Sequence, residues 1–130
     1  MVAHPNAILV RQLYEAFHSR DMETLAKLIA EDAVWRVPGS TLISGEHRGR
    51  AAIFEYFRRM GELSGGTFHA ELVDALASDT QAVAVATATG KRAGKTYDGS
   101  YLLLMRIEDG RIVDVRLFND DPDAFESFWS

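Results

Sequence analysis

Asp32-Ala33-Val34-Trp35-Arg36-Val37-Pro38-Gly39 is the stretch at which the chain changes its hydrophobic period. Before it the spacing is helical. Val10, Leu13, Tyr14 and Phe17 recur as one face of a helix, and Pro5 suits its first turn. A second short helix is predicted from Asp21 to about Ala30, with Asp21 as cap, Glu23 in its first turn, and Met22, Leu25, Leu28 and Ile29 as its apolar side. Val34 to Val37 then reads as a short strand ended by Pro38-Gly39. Residues 39–49 read as a loop, and a third helix follows with Ile53, Phe54, Phe57 and Met60 on one face.

Beyond Gly65-Gly66 the pattern becomes strands: Thr67 to Leu76, Ala82 to Lys91, Thr96 to Ile107 and Arg111 to Asn119. Ser78-Asp79-Thr80, Ala93-Gly94 and Asp109-Gly110 connect them. Asp-Gly between two apolar runs is a strong hairpin signal, because both central residues of the turn take positive φ. Helices followed by an antiparallel meander predict an α+β domain with helices packed on one sheet face. Pro122 to Trp129 is expected to close the fold as a short amphipathic helix using Phe125, Phe128 and Trp129.

Composition narrows the function. The 130 residues fit one domain, 1–130, with 47% hydrophobic and 25% charged residues. The net charge is -5 and no basic run is long enough to track a phosphate backbone, so neither nucleic acid nor an anionic membrane is an expected partner. There is no cysteine, hence no disulfide framework or thiol nucleophile. No apolar stretch approaches the roughly 20 residues of a membrane span, and no signal pattern opens the chain, so a cytoplasmic protein is expected.

The ordered pieces Leu13-Tyr14-x-Ala16-Phe17, Asp21-Met22-x-x-Leu25, Ile29 to Trp35, Ser44-Gly45, His47-x-Gly49-Arg50-x-x-Ile53, Asp109 to Val113 and Phe118 to Pro122 span nearly the whole chain. Together they resemble the NTF2-like superfamily in its SnoaL-like and ketosteroid-isomerase-like branch. The resemblance implies a cone: three N-terminal helices packed on a curved antiparallel sheet, with a short C-terminal helix and an apolar pocket inside. It also implies a homodimer joined through the outer sheet face.

Within that branch, ketosteroid isomerase moves a proton with one carboxylate and holds the enolate with a tyrosine and a protonated acid. By the resemblance the tyrosine falls on Tyr14, the base on Val37 and the acid on or near Leu103. Valine accepts no proton, so that mechanism is not expected. Limonene-epoxide hydrolases, which resemble this fold too, use an Asp-Arg-Asp set, of which Asp120 and Arg116 supply possible pieces.

The candidate residues each carry two readings. Tyr14 is a phenol donor to a carbonyl oxygen or a core tyrosine. His47, in a glycine-flanked loop, is an acid–base group or a loop histidine. Asp120 is a base at the pocket rim beside Asn119, or a helix cap at Asp120 or Asp121. Trp35, Phe17, Phe54 and Phe57 are pocket walls or core filler. Tyr101 shares strand parity with Leu103, so both face the same way. Arg116 alternates away from Val115 and Leu117 and is expected outside; His69 reads as a surface histidine. No histidine or carboxylate spacing suggests a metal site, and no glycine motif suggests a dinucleotide. Three functions stay open: a cofactor-independent isomerase, cyclase or dehydratase acting on a carbonyl-bearing or polycyclic molecule, a non-catalytic binder of a small hydrophobic molecule, and a dimeric scaffold with a filled pocket.

Overall fold

A computed structural model describes residues 3–130. The elements run α1 (Pro5–Ser19), α2 (Met22–Leu28), β1 (Ile29–Val37), β2 (Gly45–Arg48), α3 (Arg50–Leu63), β3 (His69–Ala77), β4 (Gln81–Arg92), β5 (Lys95–Glu108), β6 (Arg111–Asn119) and α4 (Pro122–Trp129). Pro5 opens α1, and the Asp21 side chain accepts from the Thr24 amide at the start of α2. Both hairpins after β4 and β5 turn through consecutive positive-φ residues, Ala93-Gly94 and Asp109-Gly110.

The six strands form one sheet in the order β2-β1-β6-β5-β4-β3. It is not wholly antiparallel. β1 runs parallel to β6, with Trp35 opposite Val115 and Arg36 opposite Arg116. Hairpins force their own strands to be antiparallel, but β1 reaches β6 only after the whole intervening meander, and that long connection permits the parallel pairing. Two boundaries also differ from the sequence reading. β1 starts at Ile29, directly after α2, so the strand is longer than Val34 to Val37 and α2 ends earlier than Ala30. The 39–49 segment also contains β2, which pairs with β1 and sets His47 opposite Trp35.

The inner sheet face is defined by a run of small side chains. Ala82, Ala84, Ala86, Ala88 and Gly90 alternate inward along β4 and are all buried. Large side chains come instead from the helices and from β5: Val10, Leu13, Ile53 and Met60 from the helices, and Leu103, Met105 and Ile107 from β5. Small residues at the centre of the sheet leave depth between sheet and helices, which those larger side chains fill only in part.

This division of faces has a measurable consequence. Ala84 has no exposed surface, so Ala84→Leu should cost about 1–3 kcal/mol by overpacking. Val85→Leu, on the opposite face of the same strand, should change stability by less than about 0.5 kcal/mol. Chemical denaturation of the two variants checks the assignment.

Candidate functional site

A cavity lies between the inner sheet face and α1, α3 and α4. It offers about 60 Å³ to the centres of water molecules, several times the roughly 10–15 Å³ that one water requires. Most of its wall is apolar: Leu13, Phe17, Phe57, Met60, Leu103 and Phe125 among others. All four tyrosines of the chain, Tyr14, Tyr56, Tyr97 and Tyr101, line it, together with Trp35 and Asn119. No carboxylate, imidazole or lysine is among the described lining residues.

Tyr14 projects from α1 and Tyr101 from β5, and their hydroxyls meet at 2.8 Å. Burial pushes both phenols above the ordinary 10.0. A hydrogen bond from Tyr101 works against that rise at Tyr14, because it favours the tyrosinate. Either hydroxyl can donate in this pair, so one phenol proton remains for a guest, and the paired hydroxyls polarise one another. Tyr56, from α3, is also pushed up by burial. Its ring packs against Trp35 at 6.1 Å and against Phe57 at 5.6 Å.

Two buried side-chain polar atoms among the described residues lack any hydrogen-bond partner: Trp35 Nε1 and the Tyr97 hydroxyl. The indole N–H lies near enough to the Tyr56 hydroxyl to favour its ionised form, yet no hydrogen bond of ordinary geometry joins them. Each such orphan costs about 1–3 kcal/mol. Tyr97 is held by close packing. A Cβ on Gly99 would lie 2.4 Å from the Tyr97 hydroxyl, and one on Gly90 would lie 3.2 Å from Phe128 Cζ. These glycines clear floor space for the Tyr97 and Phe128 rings, which stack at 5.5 Å.

Other sequence candidates fall in different places. Trp35, Phe17, Phe57, Leu103 and Asn119 line the cavity beside Tyr14 and Tyr101. Phe54 does not; its ring stacks on Phe57 at 6.3 Å. His47 is not brought to the cavity either. Its ring stacks on Tyr56 at 4.6 Å and its Nε2 meets the Ile43 carbonyl at 2.9 Å, so it sits behind the wall. Asp120 is exposed, and its backbone amide donates to the Ser100 carbonyl. The cap of α4 is Asp121, whose carboxylate accepts from the Ala124 amide at 3.0 Å. Val37 is buried but is not among the lining residues. Arg116 is exposed, 4.0 Å from Asp114, and His69 is exposed beside Glu71.

Sequence reasoning missed Tyr56 and Tyr97. Both carried a signal: Tyr56 lies on the helical face shared by Ile53 and Met60, and Tyr97 shares strand parity with Tyr101 and Leu103.

The model of the SnoaL-like domain matches residues 10–115. The chain belongs to the SnoaL-like family. Its fold is the NTF2-like one, a sheet wrapped around helices. An uncharacterized protein of Mycobacterium tuberculosis is 33% identical over 123 residues, 94% of either chain. Bal32a, from a soil-derived mobile gene cassette, is 40% identical with a TM-score of 0.93, covering 97% of both chains. IdmH, a candidate polyketide cyclase from Streptomyces antibioticus, is 26% identical with a TM-score of 0.73, covering 91% of this chain and 93% of its own. Among the described residues of this SnoaL-like chain, no helix is long and apolar enough to cross a membrane.

The buried phenols make alkaline stability a test of the site. Tyr14, Tyr56 and Tyr101 hold their protons in the folded state above the pH at which unfolded phenols release them. Their contribution is therefore complete below pH 10 and is lost as pH climbs from there, at about 1.4 kcal/mol per pH unit for each phenol. Tyrosinate absorbance and circular dichroism should change together on alkaline titration. Ionisation of all four tyrosines near 10 with the fold intact would contradict the buried cluster.

Proposed function

We propose that this SnoaL-like protein binds a small carbonyl compound and catalyses proton transfer on it, in the manner of an isomerase or cyclase. The observation that supports this reading is the Tyr14–Tyr101 hydroxyl pair facing an apolar cavity. A phenol donor in a water-poor site stabilises negative charge developing on a carbonyl oxygen, typically by a factor of about 100–1,000 for one donor. The resemblance to the candidate cyclase IdmH points the same way. The described lining residues include no base, so the roughly 100- to 10,000-fold contribution of a positioned base is absent from the cavity wall. That limits the chemistry to substrates whose C–H is already acidic, such as one flanked by two carbonyls. Solvent water takes that proton and returns one to the enolate carbon, and Asn119, which lines the cavity, is half-buried and has no side-chain hydrogen bond within the described residues, can orient it.

Hydrogen–deuterium exchange at the central carbon of a cyclic β-diketone, followed by NMR, is the direct assay. Tyr14→Phe should lower kcat by about 100- to 1,000-fold with little change in KM. The rate should also show no inflection in the carboxylate or imidazole range, since Asp120 and His47 lie off the cavity. An inflection there that disappears in Asp120→Asn or His47→Gln would return those residues to the mechanism. The lack of a lining base also favours a second reading, a non-catalytic binder. Ligand binding without any acceleration of exchange would establish that reading instead.

We further propose that the outer sheet face joins two copies of the chain, the face that the family resemblance assigns to the dimer. Leu76, Leu102 and Phe118 are 55%, 42% and 50% exposed, and Val83, Val85 and Leu104 lie beside them in register. Light scattering should give a dimer at micromolar concentration, and Leu102→Asp with Phe118→Asp should give a monomer. A wild-type monomer at that concentration removes the proposal.

A further inference from the structure

We propose that Trp35 and Tyr97 are the two end anchors of the cavity and that its guest is a neutral, elongated molecule with a hydrogen-bond acceptor at each end. The inference rests on the small-molecule reading above and adds the polarity and shape of the ligand. It starts from a coincidence of two independent properties. Trp35 Nε1 and the Tyr97 hydroxyl are the unpartnered buried side-chain polar atoms among the described residues, and both residues line the same cavity. Each residue is only 5% exposed, so bulk water does not satisfy them. A buried donor left without a partner is costly, and a guest that accepts from it removes that cost.

The register separates the two residues. Trp35 is level with Val115 of β6 and therefore with Met105 of β5. Tyr97 lies near the start of β5, opposite Gly90, with its hydroxyl beside Gly99. Tyr101 and Leu103 occupy the inward positions between these levels. The two anchors also pack against different helices. Trp35 meets Phe57 of α3 at 5.1 Å, whereas Tyr97 meets Phe125 of α4 at 6.3 Å. The two residues thus stand on either side of Tyr101 along the sheet, each against its own helix.

The chemistry of the groups sets the polarity of the guest. An indole N–H only donates, and a phenol donates readily. No cation is among the described lining residues, so a carboxylate would enter at the full cost of its desolvation. Carbonyl or similar neutral oxygens fit both ends. The Tyr97 anchor is positioned by Gly99, whose missing Cβ leaves the space in which the hydroxyl lies.

The test uses four related probes, para-diacetylbenzene, meta-diacetylbenzene, acetophenone and ethylbenzene, with Kd measured by calorimetry. Para-diacetylbenzene should bind about tenfold tighter than acetophenone, and acetophenone about tenfold tighter than ethylbenzene. The meta isomer, with the same groups at a different angle, should bind more weakly than the para isomer. Trp35→Phe and Tyr97→Phe, each checked for native circular dichroism, should bring para-diacetylbenzene to the affinity of acetophenone. Both should leave ethylbenzene within about twofold of wild type. Gly99→Ala should weaken the para-diketone as Tyr97→Phe does, with the Tyr97 ring still present. Equal affinities across the four probes would overturn the anchors while leaving a small-molecule cavity intact. Equal weakening of all four by the variants would do the same. If no probe binds up to its solubility limit, both the anchors and the small-molecule reading fall.

Discussion

The short side chains along the inner face of β4 set the depth of the whole structure. Ala82, Ala84, Ala86, Ala88 and Gly90 place no bulk between sheet and helices. The interior is filled from its margins, by Leu13 and Tyr14 of α1, Tyr56 and Met60 of α3, and Phe125 and Trp129 of α4. Close packing of that kind normally leaves few voids larger than a water. Several of the rings here meet edge to face or tilted, as Phe17 and Phe57 do at 4.9 Å and Phe68 and Trp129 do at 5.7 Å. Rigid planes arranged around a flat, small-residue floor enclose space that flexible aliphatic chains would fill.

The electrostatic character of that space follows from what surrounds it. Its polar atoms are phenols, an indole and an amide, and the phenols are kept neutral by burial. Formal charges are set on the other side of the sheet or at its edges. Arg36 pairs with Asp114 and reaches Glu46 at 3.7 Å, tying β2, β1 and β6 together away from the cavity. Such a division lets the interior recognise neutral oxygen without paying to bury an ion.

Much of this was legible in the sequence, and the failures have physical causes. The helical spacing of Leu13, Tyr14 and Phe17 and the strand alternation of Tyr101 and Leu103 carried their orientation directly, because burial acts on single faces. β2 left no such trace. Gly45-Glu46-His47-Arg48 is an edge strand held by backbone pairing to β1, and none of its four residues is buried. The parallel β1–β6 pairing was equally silent, since strand order depends on a connection spanning most of the chain. His47 and Asp120 were drawn toward the cavity by residue type. The hydrogen bond that occupies His47 elsewhere, and the choice of Asp121 as cap, depend on side-chain geometry that spacing does not encode.

α4 is eight residues long, too short to persist on its own. Arg92 donates to the Phe128 carbonyl at 3.0 Å and Lys95 to the Ser127 carbonyl at 2.8 Å, so cations of the β4–β5 hairpin occupy its last turn. Glu126 accepts from the Ser40 hydroxyl at 2.8 Å on the other side. Since Phe125 and Trp129 also form part of the cavity wall, a bound guest and the docking of this helix are thermodynamically linked. Occupancy of the cavity raises the free energy of local opening at the C-terminus, and the amides of the final helix become reporters of what the interior holds.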